Sequence, residues 1–275
     1  MRSMSAPGIQ PVSLKRIVSS FTISGDVIDA APYGSGHIHS TFLVRCPKGV
    51  RYILQRINDR VFKKPREVME NIVRVTRHLQ ATIAAVPGSD PSREALRLIP
   101  AKDGGFWFVD DTGSFWRMFH FIGGARTIEV CETPGQAREA ARVVARFQKL
   151  LADLPGDRLR ETIPFFHHAP RRIQALEDSV AADAASRCAG ARAEIEFALS
   201  RRELAESIVK RIEGGTIPER VTHNDTKLNN VLFDEKTGRG LCVVDLDTCM
   251  PGSALYDFGD MVRTMTSRAA EDETD

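Results

Sequence analysis

The 275-residue sequence lacks the features that mark membrane, secreted and nucleic-acid-binding proteins. No run approaches the ~20 apolar residues that cross a bilayer, and the N-terminal segment has no apolar stretch of the kind found in a signal peptide. The 38 basic and 36 acidic side chains leave a formal charge of only +2, which is too balanced for a general nucleic-acid binder. We therefore expect a cytoplasmic protein with no membrane or nucleic-acid partner, and no obligatory protein partner is evident.

Cysteine is scarce and its spacing is irregular. The chain has five cysteines, an odd number, at wide intervals and with no Cys-x-x-Cys pair. This pattern argues against both a disulfide framework and a zinc cage, and it favours free thiols in a reducing compartment. A chain of this length buries enough core to be stable without such cross-links. Its hydrophobic share of 42% and charged share of 27% exclude a disordered or collagen-like chain.

The first part of the chain has short segments with the residue types and turn boundaries of β-strands. Five strands are predicted, at residues 21–28, 40–45, 51–57, 105–109 and 114–122. Residues 65–85 carry apolar side chains at helical spacing and predict an amphipathic helix. Residues 1–19 contain Ser, Pro and Gly without a clear period, so we expect a flexible N-terminal arm there.

The second part of the chain has a helical pattern. Residues 134–153 and 171–213 predict helices, and Gly123-Gly124 separates the two parts. The prediction is an α+β protein with a β-rich N-lobe at residues 20–122 and a helical C-lobe at residues 123–275. Ligands tend to bind where two such units meet, so the cleft between the lobes is the expected site.

The most informative segment lies near the C-terminal end. It begins with the run His223 to Asn230, which fits the pattern H-x-D-x-x-x-x-N of a phosphoryl-transfer catalytic loop. Apolar runs on either side of a turn then predict a β-hairpin, with Asn230 entering the first strand and Asp245 leaving the second. The hairpin brings an amide oxygen and a carboxylate together, and Mg²⁺ takes such oxygens as ligands together with phosphate and water.

Side chains inside the loop have the chemistry for phosphoryl transfer. Asp225 can accept or orient the acceptor hydroxyl, and Lys227 can offset charge on the transferring phosphate. His223, which opens the motif, is a further catalytic candidate. Taken singly, an aspartate before an apolar run is more often a cap or turn residue, and a lone histidine is more often structural. The combination of this spacing with the hairpin, and with the later run Tyr256 to Asp260, favours a kinase.

In these motifs the chain resembles the aminoglycoside phosphotransferase/choline kinase superfamily, whose members are relatives of the protein kinases. More narrowly, it is similar to the N-acetylhexosamine 1-kinases in the phrases PYGSGHIHSTF, RYILQRIN, MENI, THNDTKLNNVLFD and VVDLDTCMPGSALYDFGD, and the resemblance covers residues 20–275. It implies a bilobal protein-kinase-like fold with ATP and Mg²⁺ bound between the lobes. The implied reaction moves the γ-phosphate of ATP to the anomeric hydroxyl of an amino sugar, GlcNAc or GalNAc.

The resemblance also implies roles for residues of the catalytic segment. Asp225 matches the catalytic base, and Asn230 and Asp245 match the magnesium ligands. An aspartate at the place of Asp257 accepts hydrogen bonds from the catalytic-loop backbone in this family. The run Asp257-Phe258-Gly259 has the sequence of the metal-binding Asp-Phe-Gly motif of protein kinases, but we do not expect Asp257 to bind the metal.

The loop over the phosphates and the hinge are expected in the N-lobe. The turn Gly34-Ser35-Gly36 resembles the phosphate-covering loop of the family, and glycine lets the backbone approach phosphate closely. Taken alone, a Gly-x-Gly turn is more often an ordinary hairpin turn. The hinge is expected at residues 119–122, where backbone groups around Phe119 and Phe121 meet adenine.

The phosphate-binding lysine of protein kinases has no direct counterpart in this sequence. Alignment with the family places Arg56 there, and an arginine fork holds phosphate oxygens at least as well as lysine. Alternation along the strand then points Leu54 the same way, toward adenine. The expected acidic partner of Arg56 is Glu70 on the following helix, with Glu67 second; the alternative is a surface arginine and a solvated glutamate.

Two questions stay open on the sequence alone. The helical lobe of the family runs further than this chain does, so we expect a fragment or a short member with an incomplete C-lobe. The acceptor could also be another small alcohol, such as choline, homoserine or an aminoglycoside. A non-catalytic nucleotide-binding module is the alternative of a different class, and the presence of Asp225, Asn230 and Asp245 argues against it.

Overall fold

A five-stranded antiparallel sheet forms the N-lobe. The computed structural model describes residues 11–34 and 38–269. The strands of this sheet are β1 (Asp29–Pro32), β2 (Ser40–Arg45), β3 (Arg51–Arg56), β4 (Phe108–Val109) and β5 (Phe115–His120). They lie in the order β1-β2-β3-β5-β4, and each neighbouring pair is antiparallel. Four of the five predicted strands are confirmed, whereas the one predicted at 21–28 is irregular apart from a bridge between Phe21 and Ala101.

The helix α1 (Pro11–Val18) covers the outer face of this sheet. Leu14, Ile17 and Val18 lie at helical spacing and are buried. Alternate strand residues supply the other side of the cluster: Phe42, Val44, Tyr52, Leu54, Trp116 and Met118. The prediction of a flexible arm over residues 1–19 is therefore wrong for residues 11–18. A helix of only two turns gives a weak periodic signal in the sequence. Residues 1–10 lie outside the described part of the chain.

The inner face of the sheet packs toward α2 (Pro65–Ala84) and the second lobe. Ile53 and Phe119 on this face join the larger hydrophobic cluster, to which α2 contributes Val68, Ile72 and Val75. Proline at the first position of α2 lacks only an N–H that has no helical partner in any case. The helix predicted at 65–85 is confirmed.

The remaining helices follow in the C-lobe and in the connection to it. They are α3 (Pro91–Glu94), α4 (Pro134–Leu150), α5 (Ala169–Ala182), α6 (Arg192–Leu199), α7 (Arg202–Glu213) and α8 (Ala254–Thr266). The helix α4 begins at a capping box, in which Thr133 and Gln136 each accept a hydrogen bond from the other's backbone. The predicted helical stretch 171–213 is divided among three helices, the first of which ends at Asp183 in the left-handed conformation.

Two short sheets carry the catalytic segment. The strands β6 (Ala125–Arg126), β8 (Val231–Asp234) and β9 (Gly240–Val243) form one antiparallel sheet, so the predicted hairpin is confirmed. The strands β7 (Arg220–Thr222) and β10 (Met250–Gly252) form the other. A Cβ atom at Gly252 would lie 2.4 Å from Thr222 Oγ1, so the close approach of these two strands requires glycine.

The arrangement is the predicted one of a sheet-based N-lobe followed by a mainly helical C-lobe. Asn71 of α2 links the two, since its side-chain amide donates to Arg160 O at 2.8 Å and to Cys249 O at 3.1 Å. This confirms the α+β class and the bilobal, protein-kinase-like fold. In the described part of the chain, none of the helices is both long and apolar enough to cross a membrane.

Candidate active site

The catalytic-loop motif connects β7 to β8. Asn224 turns the chain with a φ of 65°, a left-handed conformation that asparagine adopts more readily than most residues. The next side chain, Asp225, is 23% exposed, and its Oδ2 lies 3.6 Å from Lys227 Nζ. Asn230 Nδ2 donates to the same oxygen at 2.9 Å. The structure thus brings together Asp225, Lys227 and Asn230, with the carboxylate accessible to a ligand.

His223 lies beneath this loop and is fully buried. Its Nε2 lies 2.8 Å from Val244 O, and its Nδ1 accepts from Asp225 N at 3.3 Å. Because both ring nitrogens are engaged with backbone, His223 cannot reach an acceptor or a phosphate. The assignment of His223 as a catalytic group is therefore corrected: it links the catalytic loop to the end of β9 and positions Asp225.

Asp257, at the start of α8, holds the same loop from the C-terminal side. Its Oδ1 accepts from Asn224 N at 2.7 Å. Its Oδ2 accepts from His223 N at 3.1 Å and from Gln148 Nε2 at 2.6 Å. The side chain has no exposure, so it faces the loop and not a cation. The predicted role of Asp257 as an acceptor for the catalytic-loop backbone is confirmed.

The hairpin brings Asn230 and Asp245 to one end of the small sheet. Val244 N donates to Asn230 O at 2.8 Å, and Asp245 follows directly. Both hydrogens of the Asn230 amide donate to Asp225, at its backbone and side-chain oxygens, so Oδ1 is the atom left to face a cation. Asp245 has a φ of 60°, and residues held in this uncommon conformation concentrate at functional sites. An amide oxygen and a carboxylate are a donor set that fits Mg²⁺.

Asp247 places a second carboxylate beside Asp245. Burial and the Asp247 carboxylate raise the pKa of Asp245 above its ordinary value. Burial by itself would also raise the pKa of Asp247, but the Arg117 guanidinium and His39 outweigh it and hold that pKa far below its ordinary value. Arg117 donates through Nη1 and Nη2 to the two oxygens of Asp247, at 2.7 and 2.5 Å. Asp247 is therefore the ionised member of the pair, and Arg117 neutralises it.

His39 completes this acidic cluster. One ligand atom each from His39, Asp245 and Asp247 lie within 4.8 Å of one another. His39 Nδ1 accepts a hydrogen bond from Asn58 N at 3.1 Å. His39 Nε2 lies 3.4 Å from Asp247 Oδ1. The oxygens of Asn230 and Asp245 remain the candidate ligands.

The strand β3 presents Gln55 to the inner face of the N-lobe sheet. Gln55 is the register partner of Arg117, whose Nε donates to Gln55 Oε1 at 3.0 Å. Because side chains alternate along a strand, Leu54 and Arg56 point to the outer face, where Leu54 is fully buried in the α1 cluster. The predicted approach of Leu54 to adenine and of Arg56 to phosphate is therefore corrected, since a shift of one residue reverses the face.

The predicted acidic partners of Arg56 lie elsewhere. Glu70 is exposed on α2, and Glu67 pairs with Lys64 at 3.0 Å near the start of the same helix. The carboxylate that meets the inner-face arginine of β5, Arg117, is Asp247, which comes from the loop after β9.

Gly34 follows β1, and Phe121, which was predicted to lie in the hinge, follows β5. Gly34 has a φ of 80°, which glycine adopts without strain; Ser35 and Gly36 lie outside the described residues. The Phe121 ring meets the Tyr33 ring edge-on with centroids 5.9 Å apart, and the Arg51 guanidinium lies 4.1 Å from the Phe121 centroid. Phe119 is instead buried in the inner-face core.

Sequence reasoning missed three residues of this region. Asp247 had a signal, because it repeats the acidic residue two positions after Asp245. Arg117 and Gln148 had none, since an arginine in a strand and a glutamine on a helix are ordinary surface residues. Their roles depend on partners that are 130 and 109 positions away in the chain.

Phosphoryl transfer needs a group that accepts or orients a proton close to oxygens that bind the metal of the nucleotide. Asp225 offers an accessible carboxylate, and Asn230 and Asp245 offer candidate metal-binding oxygens, in a two-lobed, kinase-like fold. The structural class is accordingly that of the kinase-like phosphotransferases. The chain belongs to the phosphotransferase enzyme family (APH), whose family model matches residues 29–274.

Solved structures with this fold share little sequence with the chain. An aminoglycoside phosphotransferase from Alicyclobacillus acidocaldarius is 15% identical with a TM-score of 0.60, over 95% of this chain and 73% of that one. An amicoumacin kinase in complex with AMP-PNP, Ca²⁺ and Ami is 11% identical with a TM-score of 0.59, over 92% and 68%. A spectinomycin phosphotransferase in complex with ADP and spectinomycin is 12% identical with a TM-score of 0.55, over 91% and 73%. At these identities the likeness establishes the fold.

Proposed function

We propose that this protein is an ATP-dependent kinase that transfers the γ-phosphate to a hydroxyl of a small molecule, with the anomeric hydroxyl of an N-acetylhexosamine as the best acceptor. The observation that supports phosphoryl transfer most directly is the 2.9 Å hydrogen bond between Asn230 and Asp225, which joins a proposed metal ligand to the proposed proton acceptor. The amino-sugar acceptor rests on the resemblance of the sequence to the N-acetylhexosamine 1-kinases. The proposed location is the cytoplasm, where ATP and Mg²⁺ are available.

Asp225 is the proposed catalytic base. Its Oδ2 is held by Asn230 and Lys227, which leaves Oδ1 to orient the acceptor hydroxyl and take its proton as the new bond to phosphorus forms. Lys227, beside this carboxylate, offsets negative charge on the transferring phosphate. Asn230 and Asp245 are the proposed ligands of Mg²⁺, which when bound neutralises charge on the phosphates of ATP.

A cluster of three aromatic side chains borders the catalytic loop, and this cluster supports the proposal of a small-molecule acceptor. His167 Nε2 lies 2.8 Å from the backbone oxygen of Asn224, the residue before Asp225. The His167 ring stacks on Tyr256 with centroids 4.9 Å apart and meets the Phe166 ring at 4.7 Å. These rings are partly exposed, and such rings supply a flat, apolar surface with a polar edge on which a ring-shaped ligand can pack.

Antibiotic phosphorylation is the second candidate function. It is favoured by the fold likeness to an amicoumacin kinase and to a spectinomycin phosphotransferase. Choline and homoserine are further acceptors of the same chemical class. The alternative of a different class is a nucleotide-binding protein without catalytic activity.

A panel of acceptors tests the proposal. The purified protein is supplied with Mg-ATP and, separately, with GlcNAc, GalNAc, an aminoglycoside, spectinomycin, choline and homoserine, and ADP release is followed. We expect the highest turnover with GlcNAc or GalNAc, and a phosphorus NMR signal of an anomeric phosphate. The Asp225→Asn variant is the control for contaminating kinases. Turnover with an antibiotic or with choline alone would contradict the amino-sugar proposal, and Mg-ATP binding without turnover on any acceptor would favour the non-catalytic alternative.

A further inference from the structure

Arg117 lies in the middle of the N-lobe sheet, and only 1% of its side chain is exposed. All three guanidinium nitrogens donate hydrogen bonds: Nε to Gln55 Oε1 at 3.0 Å, and Nη1 and Nη2 to the two oxygens of Asp247 at 2.7 and 2.5 Å. A planar fork that meets a planar carboxylate through two parallel bonds allows one orientation of that carboxylate. Arg117 therefore fixes both the position and the rotation of Asp247.

Gln55 fixes Arg117 from the opposite side. It is the register partner of Arg117 across β3 and β5, and its Nε2 donates to Thr41 Oγ1 at 3.1 Å, which turns its amide oxygen toward Arg117. A lysine at position 55 would place two cations directly opposite each other on one face of the sheet, and like charges in that arrangement are destabilising. The contact accounts for a glutamine at this inner-face position of β3, because β5 already supplies a cation there.

Asp247 belongs to the same short loop as the proposed metal ligand Asp245. The two are separated by one residue, and Asp247 lies in a single 3-10 turn, Leu246–Thr248. Thr248 Oγ1 of this turn donates to His223 O at 2.7 Å, in the catalytic loop. The turn is thus held by the N-lobe sheet on one side and by the catalytic loop on the other.

We infer that Arg117 is a positioning residue for the metal site: through Asp247 it sets the place of the Asp245 carboxylate, and hence the affinity for the Mg²⁺–nucleotide. This inference rests on the proposed function. The ion pair takes the place of the pair expected between a β3 cation and a glutamate of α2. The carboxylate of this pair, Asp247, belongs to the loop that carries the proposed metal ligand Asp245. The N-lobe sheet therefore positions that loop directly, without α2 as an intermediate.

The experiment measures nucleotide binding apart from catalysis. The affinity for AMP-PNP in excess Mg²⁺ is determined by titration calorimetry, together with the melting temperature, for the wild type and three variants. Arg117→Lys keeps the charge and loses the fork. The double variant Arg117→Met/Asp247→Leu removes both charges, so that neither is left buried without a partner. Arg146→Lys is the matched control, because Arg146 and Glu94 form a partly buried ion pair between α4 and α3 that includes no residue of the loop carrying Asp245 and Asp247.

We expect Kd for Mg-AMP-PNP to rise about 10–100-fold in Arg117→Lys and in the double variant, the usual effect of losing a residue that orients a metal ligand. The double variant should melt close to the wild type, and Arg146→Lys should bind as the wild type does. If the double variant regains wild-type affinity together with wild-type melting, Arg117 acts only through stability and the inference is wrong. Arg117→Lys, whose buried charge stays compensated, decides the question if the double variant is unstable. If the wild-type protein does not bind Mg-AMP-PNP, the proposed function itself is refuted. If the wild type binds Mg-AMP-PNP and both variants have the same Kd as the wild type, this inference alone is refuted.

Discussion

Removal of the Asp257 carboxylate should unfold the catalytic loop before it affects any chemistry. In Asp257→Ala, the backbone N–H groups of His223 and Asn224 and the side-chain amide of Gln148 lose their acceptor. Each buried donor left unpaired costs ~1–3 kcal/mol, so the two backbone N–H groups together cost about 2–6 kcal/mol, and the half-buried Gln148 amide adds a smaller amount. A domain of ordinary stability has ~5–15 kcal/mol in total. We therefore expect a large drop in the free energy of unfolding, with part of the Asp257→Ala protein unfolded at 37 °C.

The contrast with Asp245 makes this prediction specific. Asp245 is a buried carboxylate beside Asp247, and burial and that neighbour disfavour its charged form, so Asp245→Ala should keep the wild-type free energy of unfolding or raise it. It should nevertheless lose Mg²⁺-dependent ATP binding. Chemical denaturation and calorimetric titration with Mg-AMP-PNP measure the two properties separately. The reasoning is refuted if Asp257→Ala is as stable as the wild type, or if Asp245→Ala is the less stable of the two variants.

Three further outcomes are expected. Asp225→Asn should lower kcat about 10²–10⁴-fold, the usual contribution of a positioned base, with little change in the Kd of Mg-ATP; near-normal turnover would overturn the assignment of the base. Gly252→Ala should lower both the melting temperature and turnover, because the added Cβ would lie 2.4 Å from Thr222 Oγ1; an unchanged crystal structure and activity would contradict this. Burial and Arg97 lower the pKa of His120 to about 4; the unfolded state thus binds the proton first, and stability should fall as pH decreases from about 6.5 toward 4. Urea unfolding of His120→Gln should show a smaller loss over that range, and an equal loss would exclude His120 as the cause.

Elements whose signal is local could be predicted from the sequence. The strand at 40–45 and the helix at 65–85 have strong periodicity and clear boundaries, and both form as expected. The hairpin after Asn230 also forms, because a turn between two apolar runs leaves the chain one way to pair. The role of Asp257 as an acceptor for the catalytic-loop backbone could be predicted from the family resemblance, and the hydrogen bonds to its carboxylate have the expected donors.

Features that depend on distant partners could not be predicted. Alternation shows that Leu54 and Gln55 face opposite sides of β3, but the sequence does not show which side faces the other lobe. That choice is made by α1, which covers the outer face and takes Leu54 into its cluster. The fork between Arg117 and Asp247 joins residues 130 positions apart, and no local pattern encodes such a pairing.

The position of α1 has a practical consequence for any shortened form of the protein. The lack of a clear period in residues 1–19 suggests a segment that could be deleted without harm, yet Leu14, Ile17 and Val18 are buried against the N-lobe sheet. A chain that starts at residue 20 would expose the apolar side of the sheet whose opposite side carries Gln55 and Arg117. Such a chain would be prone to aggregate. A deletion intended to improve crystals or expression would also disturb the candidate nucleotide site, because that site lies on the opposite face of the same sheet.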